Sequence, residues 1–138
     1  MVVMATRELS TTGQGDVHDI TRPVADFLAQ SGMSSGLATV SVIGSTAGVT
    51  TIEFESGCVA DLNAMFERLA PRDADYRHHL QWGDDNGSSH VRAALLGPSL
   101  SIPFADRQLI LGAWQQIVLV EFDAGPRRRE IVIQLMGE

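Results

Sequence analysis

The groups able to do chemistry concentrate in the stretch Tyr76 to Pro103. His78, His79 and His90 lie there, three of the four histidines in the chain. Between them runs Gly83-Asp84-Asp85-Asn86-Gly87, a polar turn with too few apolar residues to be an element of its own. Imidazole titrates near neutral pH, and its neutral form is a good metal ligand or general base. Two imidazoles beside an acidic turn can therefore hold a divalent ion, and mixed nitrogen and oxygen ligands suit Zn, Mn or a similar metal. The pattern is not a specific zinc signature, because it has neither paired ligand spacing nor a cysteine. The plain alternative is one exposed loop histidine and one packed at a helix start, since environment alone sets the role of a histidine.

The elements that position these residues can be read from periodicity. Ser88 or Ser89 can cap a helix running from Ser89 to Leu96, which Gly97-Pro98 ends. His90 then sits in the first turn, where the helix dipole disfavours an imidazolium and favours bound anions. His79 follows His78 directly, so in an extended segment it points the other way, to solvent or an interface. Two further helices are predicted. One runs from Asp19 to Ser31, with Val24, Phe27 and Leu28 as its apolar stripe and Thr21 ahead of Pro23 at its start. The other runs from Val59 to Leu69, with a stripe of Val59, Leu62, Met65, Phe66 and Leu69.

Strands are expected over Met1–Ser10, Gly36–Ile43, Val49–Glu55, Ser99–Pro103, Gln108–Leu111, Gln115–Phe122 and Arg129–Met136. Gln115–Phe122 is apolar enough for burial on both faces. About three helices and these strands, not in strict alternation, predict an α+β fold with mixed or antiparallel sheets.

Bulk properties narrow the function classes. A chain of 138 residues with 44% apolar residues predicts one domain with a real core. The net charge of −7 argues against nucleic acid and against an anionic membrane surface. No apolar run reaches membrane-spanning length, and the first residues lack signal-peptide character. Cys58 is alone, which predicts a cytoplasmic protein without an internal disulfide. All ten basic residues are Arg, so Schiff-base and P-loop lysine chemistry are excluded.

Other residues have two readings each. Gly44-Ser45-Thr46-Ala47-Gly48 is an ordinary turn, or a loop whose N–H groups and hydroxyls hold an anion. Glu121 lies in the most apolar strand and needs a partner: an Arg, or the site itself. Trp114 is a core residue or a ligand platform, and Gln115 beside it can hydrogen-bond a ligand. Arg127, Arg128 and Arg129 can grip a phosphate or bridge to a neighbouring subunit, and Arg77 is a second phosphate candidate.

With these elements laid out, the chain resembles the YjbQ-like family, also known as secondary thiamine-phosphate synthase. The resemblance rests on blocks in order: Gly44-Ser45-Thr46-Ala47, Thr50-Thr51-Ile52-Glu53, Arg68-Leu69-Ala70-Pro71, Tyr76-Arg77-His78, and Asp85-Asn86 ahead of His90. It continues through Leu95 to Pro103, Leu111-Gly112-Ala113-Trp114-Gln115, Glu121, and Pro126-Arg127 to Gly137. It implies one YjbQ-like domain over residues 1–138, sandwich-like sheets and a homotrimer with polar residues near its interfaces. The implied activity joins a hydroxymethylpyrimidine pyrophosphate to a thiazole phosphate. The alternative is a non-catalytic oligomer binding a metal or a small phosphorylated metabolite.

On this resemblance the catalytic set is His78, His90, Glu53 and Asp85. Gly44, Ser45, Thr46, Arg77, Asn86, Trp114, Gln115 and Arg127 would bind substrate. His78, His90 and Asp85, with Glu121 as a weaker candidate, would hold a divalent ion (Zn, Mn or Mg). The chain departs from the family pattern twice. Gly44 stands where many members have His, and Ala113 replaces the usual Thr.

Overall fold

A computed structural model describes residues 1–138. The order is β1 (Val2–Thr11), β2 (Val17–Asp19), α1 (Thr21–Ser31), β3 (Gly36–Val42), β4 (Ala47–Glu53) and α2 (Ser56–Leu69). It continues with α3 (His78–Trp82), α4 (Gly87–Leu96), β5 (Ser99–Ala105), β6 (Gln108–Leu109), β7 (Gln115–Glu121) and β8 (Arg127–Gly137). The five-stranded sheet has the order β1-β8-β3-β5-β6 and the three-stranded sheet β2-β7-β4. Every pairing is antiparallel, so the mixed alternative drops out and the antiparallel one stands.

The two sheets face each other across the main core. Val40 and Val42 of β3, Ile102 and Phe104 of β5, and Ile131, Ile133 and Leu135 of β8 meet Val49 of β4 and Ile117 and Leu119 of β7. Helix α1 adds Val24 and Leu28 to the same cluster. A second cluster lies on the other face of β7, where Val118 and Val120 meet Phe66 of α2, Ala93 of α4 and Phe122. Alternate residues of β7 thus serve two cores, as strand geometry requires. Phe66 and Phe122 meet edge to face, with ring centroids 4.8 Å apart. No helix is long and apolar enough to cross a membrane.

Several local readings change. There are four helices, because His78–Trp82 is a short helix and not an extended segment. Gly83 ends it in the left-handed conformation, with φ 62°. Helix α4 starts at Gly87, and Ser89 does not cap it: its hydroxyl donates to Asn86 Oδ1 (2.9 Å). Helix α1 starts at Thr21 because Asp19 belongs to β2, where its Oδ1 accepts the Thr21 N–H (2.9 Å). Asp106 and Arg107 both have positive φ, at 52° and 63°, which turns β5 tightly into β6.

Candidate functional site

The site forms where α3 and α4 meet the loop between β3 and β4. Gly87 permits this junction. A β-carbon there would lie 2.4 Å from Tyr76 Cβ and 2.9 Å from His79 Nε2. The close approach lets the Gly87 N–H donate to His79 Nε2 (3.1 Å). A ring nitrogen that accepts carries no proton, so neutral His79 is protonated on Nδ1. His79, expected in solvent or an interface, instead caps the first turn of α4. Buried Arg92 fixes that helix to the end of α2, donating through Nε to the Ala70 carbonyl (2.9 Å) and through Nη2 to Glu67 (2.6 Å).

This packing brings His78 and His90 together, with ring centroids 4.5 Å apart. Asp84 completes a cluster: one ligand atom from each of His78, Asp84 and His90 lies within 4.8 Å of the others. His78 Nε2 is 3.0 Å from Asp84 Oδ1. His90 Nδ1 is 3.1 Å from the Ser45 carbonyl. A carbonyl can only accept, so Nδ1 carries a proton and the Nε2 lone pair of neutral His90 is free. The Asn86 N–H holds the Asp84 carboxyl below its ordinary value of 3.8; burial opposes it and His78 reinforces it. Asp84 is therefore anionic at neutral pH.

Residues 5–138 match the family described as UPF0047 protein YjbQ-like. The chain belongs to this family. A UPF0047 protein of Methanothermobacter thermautotrophicus is 37% identical over 94% of this chain and 89% of its own length. UPF0047 protein YugU of Bacillus subtilis is 33% identical over 98% of this chain and 100% of its own. The crystal structure of a YbjQ-like protein of unknown function from Sulfolobus solfataricus P2 matches with a TM-score of 0.89. It is 27% identical and covers 100% of both chains.

The YjbQ-like blocks do not all converge within one chain. Glu53 stands at the far end of β4 from Ala47, about 20 Å along the strand at roughly 3.3 Å per residue. There it lines a cleft of about 320 Å³ with Trp114, Phe54, Glu55 and Asp19. Gln115 pairs with Glu53 across the ladder and is engaged on both sides of its amide. Its Oε1 accepts the Gly112 N–H (3.0 Å) and its Nε2 donates to Thr51 (3.1 Å). Asp85, with φ 58°, lies outside the histidine cluster. It lines a polar cleft of about 680 Å³ with Arg72, Asp73, Asp75 and His79. Arg77 is exposed beside His79 and Asp75.

Glu121 takes the structural branch of its two readings. It is fully buried, and Arg129 grips it with Nε to Oε2 (2.7 Å) and Nη2 to Oε1 (2.6 Å). Arg129 Nη2 also donates to Thr46 Oγ1 (2.6 Å), which donates to Asp123 Oδ2 (2.9 Å). Arg127 Nε donates to the same Asp123 oxygen (2.9 Å). Asn86 is buried: its Oδ1 accepts from Ser89 and from Ala124 N (2.9 Å), and its Nδ2 donates to Asp123 (3.5 Å). Thr46, Asn86 and Arg127 thus tie the loops around the cluster to the β7–β8 turn. Gly44 and Ser45 remain at the site, lining a cavity of about 280 Å³ with His90, Ala93, Ala94 and Pro98.

The sequence reading gave no site role to Asp84 or Asp123, and it offered Arg129 for phosphate or a neighbouring subunit without pairing it to Glu121. Asp84 was indistinguishable from Asp85 until the backbone directed one toward His78. For Arg129 a usable signal existed: a buried acid on β7 demands a base, and Arg129 is the arginine that alternates into the core with Ile131 and Ile133.

Burial pushes the Asp123 carboxyl up, but the Gly125 N–H, the Thr46 hydroxyl and the Arg127 guanidinium outweigh it and hold it below its ordinary value of 3.8. A folded value below the unfolded one stabilises the fold above the unfolded value, and that stability is lost as pH falls through the folded one. Asp123→Asn is therefore expected to flatten the acid side of the stability profile. Urea unfolding between about pH 5 and pH 3 would measure this, and parallel profiles for variant and wild type would refute it.

Proposed function

We propose that His78, Asp84 and His90 bind a divalent metal ion that assists chemistry on a small phosphorylated metabolite. The convergence of their ligand atoms within 4.8 Å carries the reading. Neighbouring ligand atoms around an ion at about 2.1 Å lie roughly 3.0–3.5 Å apart, so closing the cluster needs about 1 Å of side-chain adjustment. Two imidazoles favour Zn or Mn over Mg, which prefers oxygen ligands. A two-histidine, one-carboxylate set leaves coordination positions for substrate oxygens. Such an ion would neutralise charge on a phosphate or a leaving pyrophosphate. That chemistry fits the transferase of the resemblance, in which a thiazole nitrogen displaces pyrophosphate from the pyrimidine. Arg77, exposed and free of ion pairs, is the nearest arginine in sequence that could reach a phosphate.

We further propose a homotrimer in a reducing cytoplasm. Supporting the assembly are Leu80, Trp82 and Leu95 on α3 and α4, 89%, 70% and 61% exposed, large apolar side chains that a neighbouring subunit would cover. Lone Cys58 fits a reducing compartment.

The non-catalytic binder remains the second reading, and one observation favours it. Glu53 is far from the cluster and Glu121 is locked to Arg129, so neither of these two acids is placed to carry a proton there. Titration with Zn or Mn separates the ligand assignment. Asp84→Asn should weaken binding about tenfold or more, whereas Asp85→Asn should leave it unchanged. Equal loss in both variants, or none in either, refutes the assignment.

A further inference from the structure

We propose that Gly44 opens a window onto Arg129, and that Arg129 Nη1 and the backbone N–H groups of Gly44, Ser45 and Thr46 form a subsite for a phosphate group. The proposal rests on the reading that a phosphorylated molecule is handled at the adjacent His78–Asp84–His90 cluster.

Four observations carry it. The side chain of Arg129 is only 7% exposed. Its Nε and Nη2 are committed to Glu121 and Thr46, while Nη1 makes no hydrogen bond. No fully buried side-chain nitrogen in the protein lacks a partner, so Nη1 keeps contact with solvent. It lies 2.7 Å from where a β-carbon on residue 44 would stand, so the absence of a side chain there leaves the guanidinium uncovered.

The loop supplies the other donors. The N–H groups of Gly44, Ser45 and Thr46 have no acceptor within the chain, backbone or side chain. Successive N–H groups in a turn are a recurrent anion-binding arrangement. Gly44 holds the loop at φ 131°, where a side chain is strained as well as obstructed. The Ser45 carbonyl meanwhile accepts from His90, so the same loop touches the metal cluster. One ligand could therefore place a phosphate on the loop and another oxygen at His90 and Asp84.

Arg129 is charge-matched by Glu121, so the subsite is rich in donors without being strongly cationic. Free inorganic phosphate should bind weakly, in the millimolar range. Arginine recognises phosphate through directed N–H donors, which suits such a site.

The test is an NMR titration of ¹⁵N-labelled, chelator-treated protein with inorganic phosphate. Saturable shifts at the Gly44, Ser45 and Thr46 amides and at the Arg129 side chain are expected, with at least tenfold weaker binding in Gly44→Ala. Shifts confined to exposed arginines such as Arg77, or none at all, overturn the subsite. Shifts that need added Zn or Mn and vanish in His78→Ala also overturn it, and leave the metal reading standing. Phosphate shifts in protein that takes up neither metal uphold the subsite and sink the metal reading. If Gly44→Ala fails to fold, the wild-type titration decides alone.

Discussion

Arg129→Met is expected to destabilise the fold by about 3–5 kcal/mol, the cost of stranding one member of a buried ion pair. Glu121 is fully buried and receives two donors from Arg129 at 2.6 and 2.7 Å. Methionine fills much of the volume but donates nothing, so a carboxylate is left in the core unpaired, and Thr46 loses a donor as well. The partner loss should dominate, and the double variant Glu121→Leu with Arg129→Met tests that. Removing both charges together is often near neutral, so the double variant should recover most of the loss. Denaturant midpoints at neutral pH measure both, with the slope checked for constancy. A single variant within about 1 kcal/mol of wild type would mean that the pair is not buried as described.

His90→Ala is expected to weaken Zn or Mn binding by more than about 100-fold, because even an outer-shell partner of a metal ligand is worth 10- to 100-fold. Fold stability should change little, since His90 is partly exposed and its one hydrogen bond goes to a loop carbonyl. That separation makes the variant informative. Competition against a chromophoric chelator gives the affinity, and thermal melting of metal-free protein gives the stability. Retained affinity would remove His90 from the ligand set. Lost affinity with retained turnover on a phosphorylated substrate would detach catalysis from the metal. Lost affinity with no turnover in wild type either would favour the binding protein.

The fold was largely legible in the sequence, because most of its signals are periodic. The alternation in β8 and the apolar run in β7 identify strands, and β7 was recognisable as buried on both faces. The helical stripes at Val24–Leu28 and Leu62–Phe66 identify α1 and α2. What escaped was short and polar. Helix α3 lasts little more than one turn and exposes Leu80 and Trp82, so no apolar period marks it. Its existence depends on docking to α4 through His79 and Gly87, a tertiary effect.

The candidate site was half legible for a related reason. His78 and His90 were identifiable by type and context. The third member of the cluster, Asp84, was not, because adjacent aspartates are distinguished only by where the backbone turns, and Asp85, with its positive φ, lies outside the cluster. Thr46, Asn86 and Arg127 look like ligand-binding residues in sequence because polar side chains in loops do. Asp123 engages the side chains of all three, which gives each a structural role as well; Arg127 spends only its Nε there.

The place of β8 in the five-stranded sheet also bears on how the chain folds. This strand lies between β1 and β3, pairing Val2 with Met136 on one side and Val42 with Ile131 on the other. Strand β1 thus has no neighbour in its sheet until residues 127–137 have been synthesised. Until then β1 and the open side of β3 expose unpaired edges, which are sites for mispairing with other chains. Pairing across nearly the whole chain also requires a long loop to close, which slows folding. Pairing of β1 must therefore wait for β8, whereas β3, β5 and β6 can pair without it, and the folding chain should depend on protection of β1 more than the finished fold does.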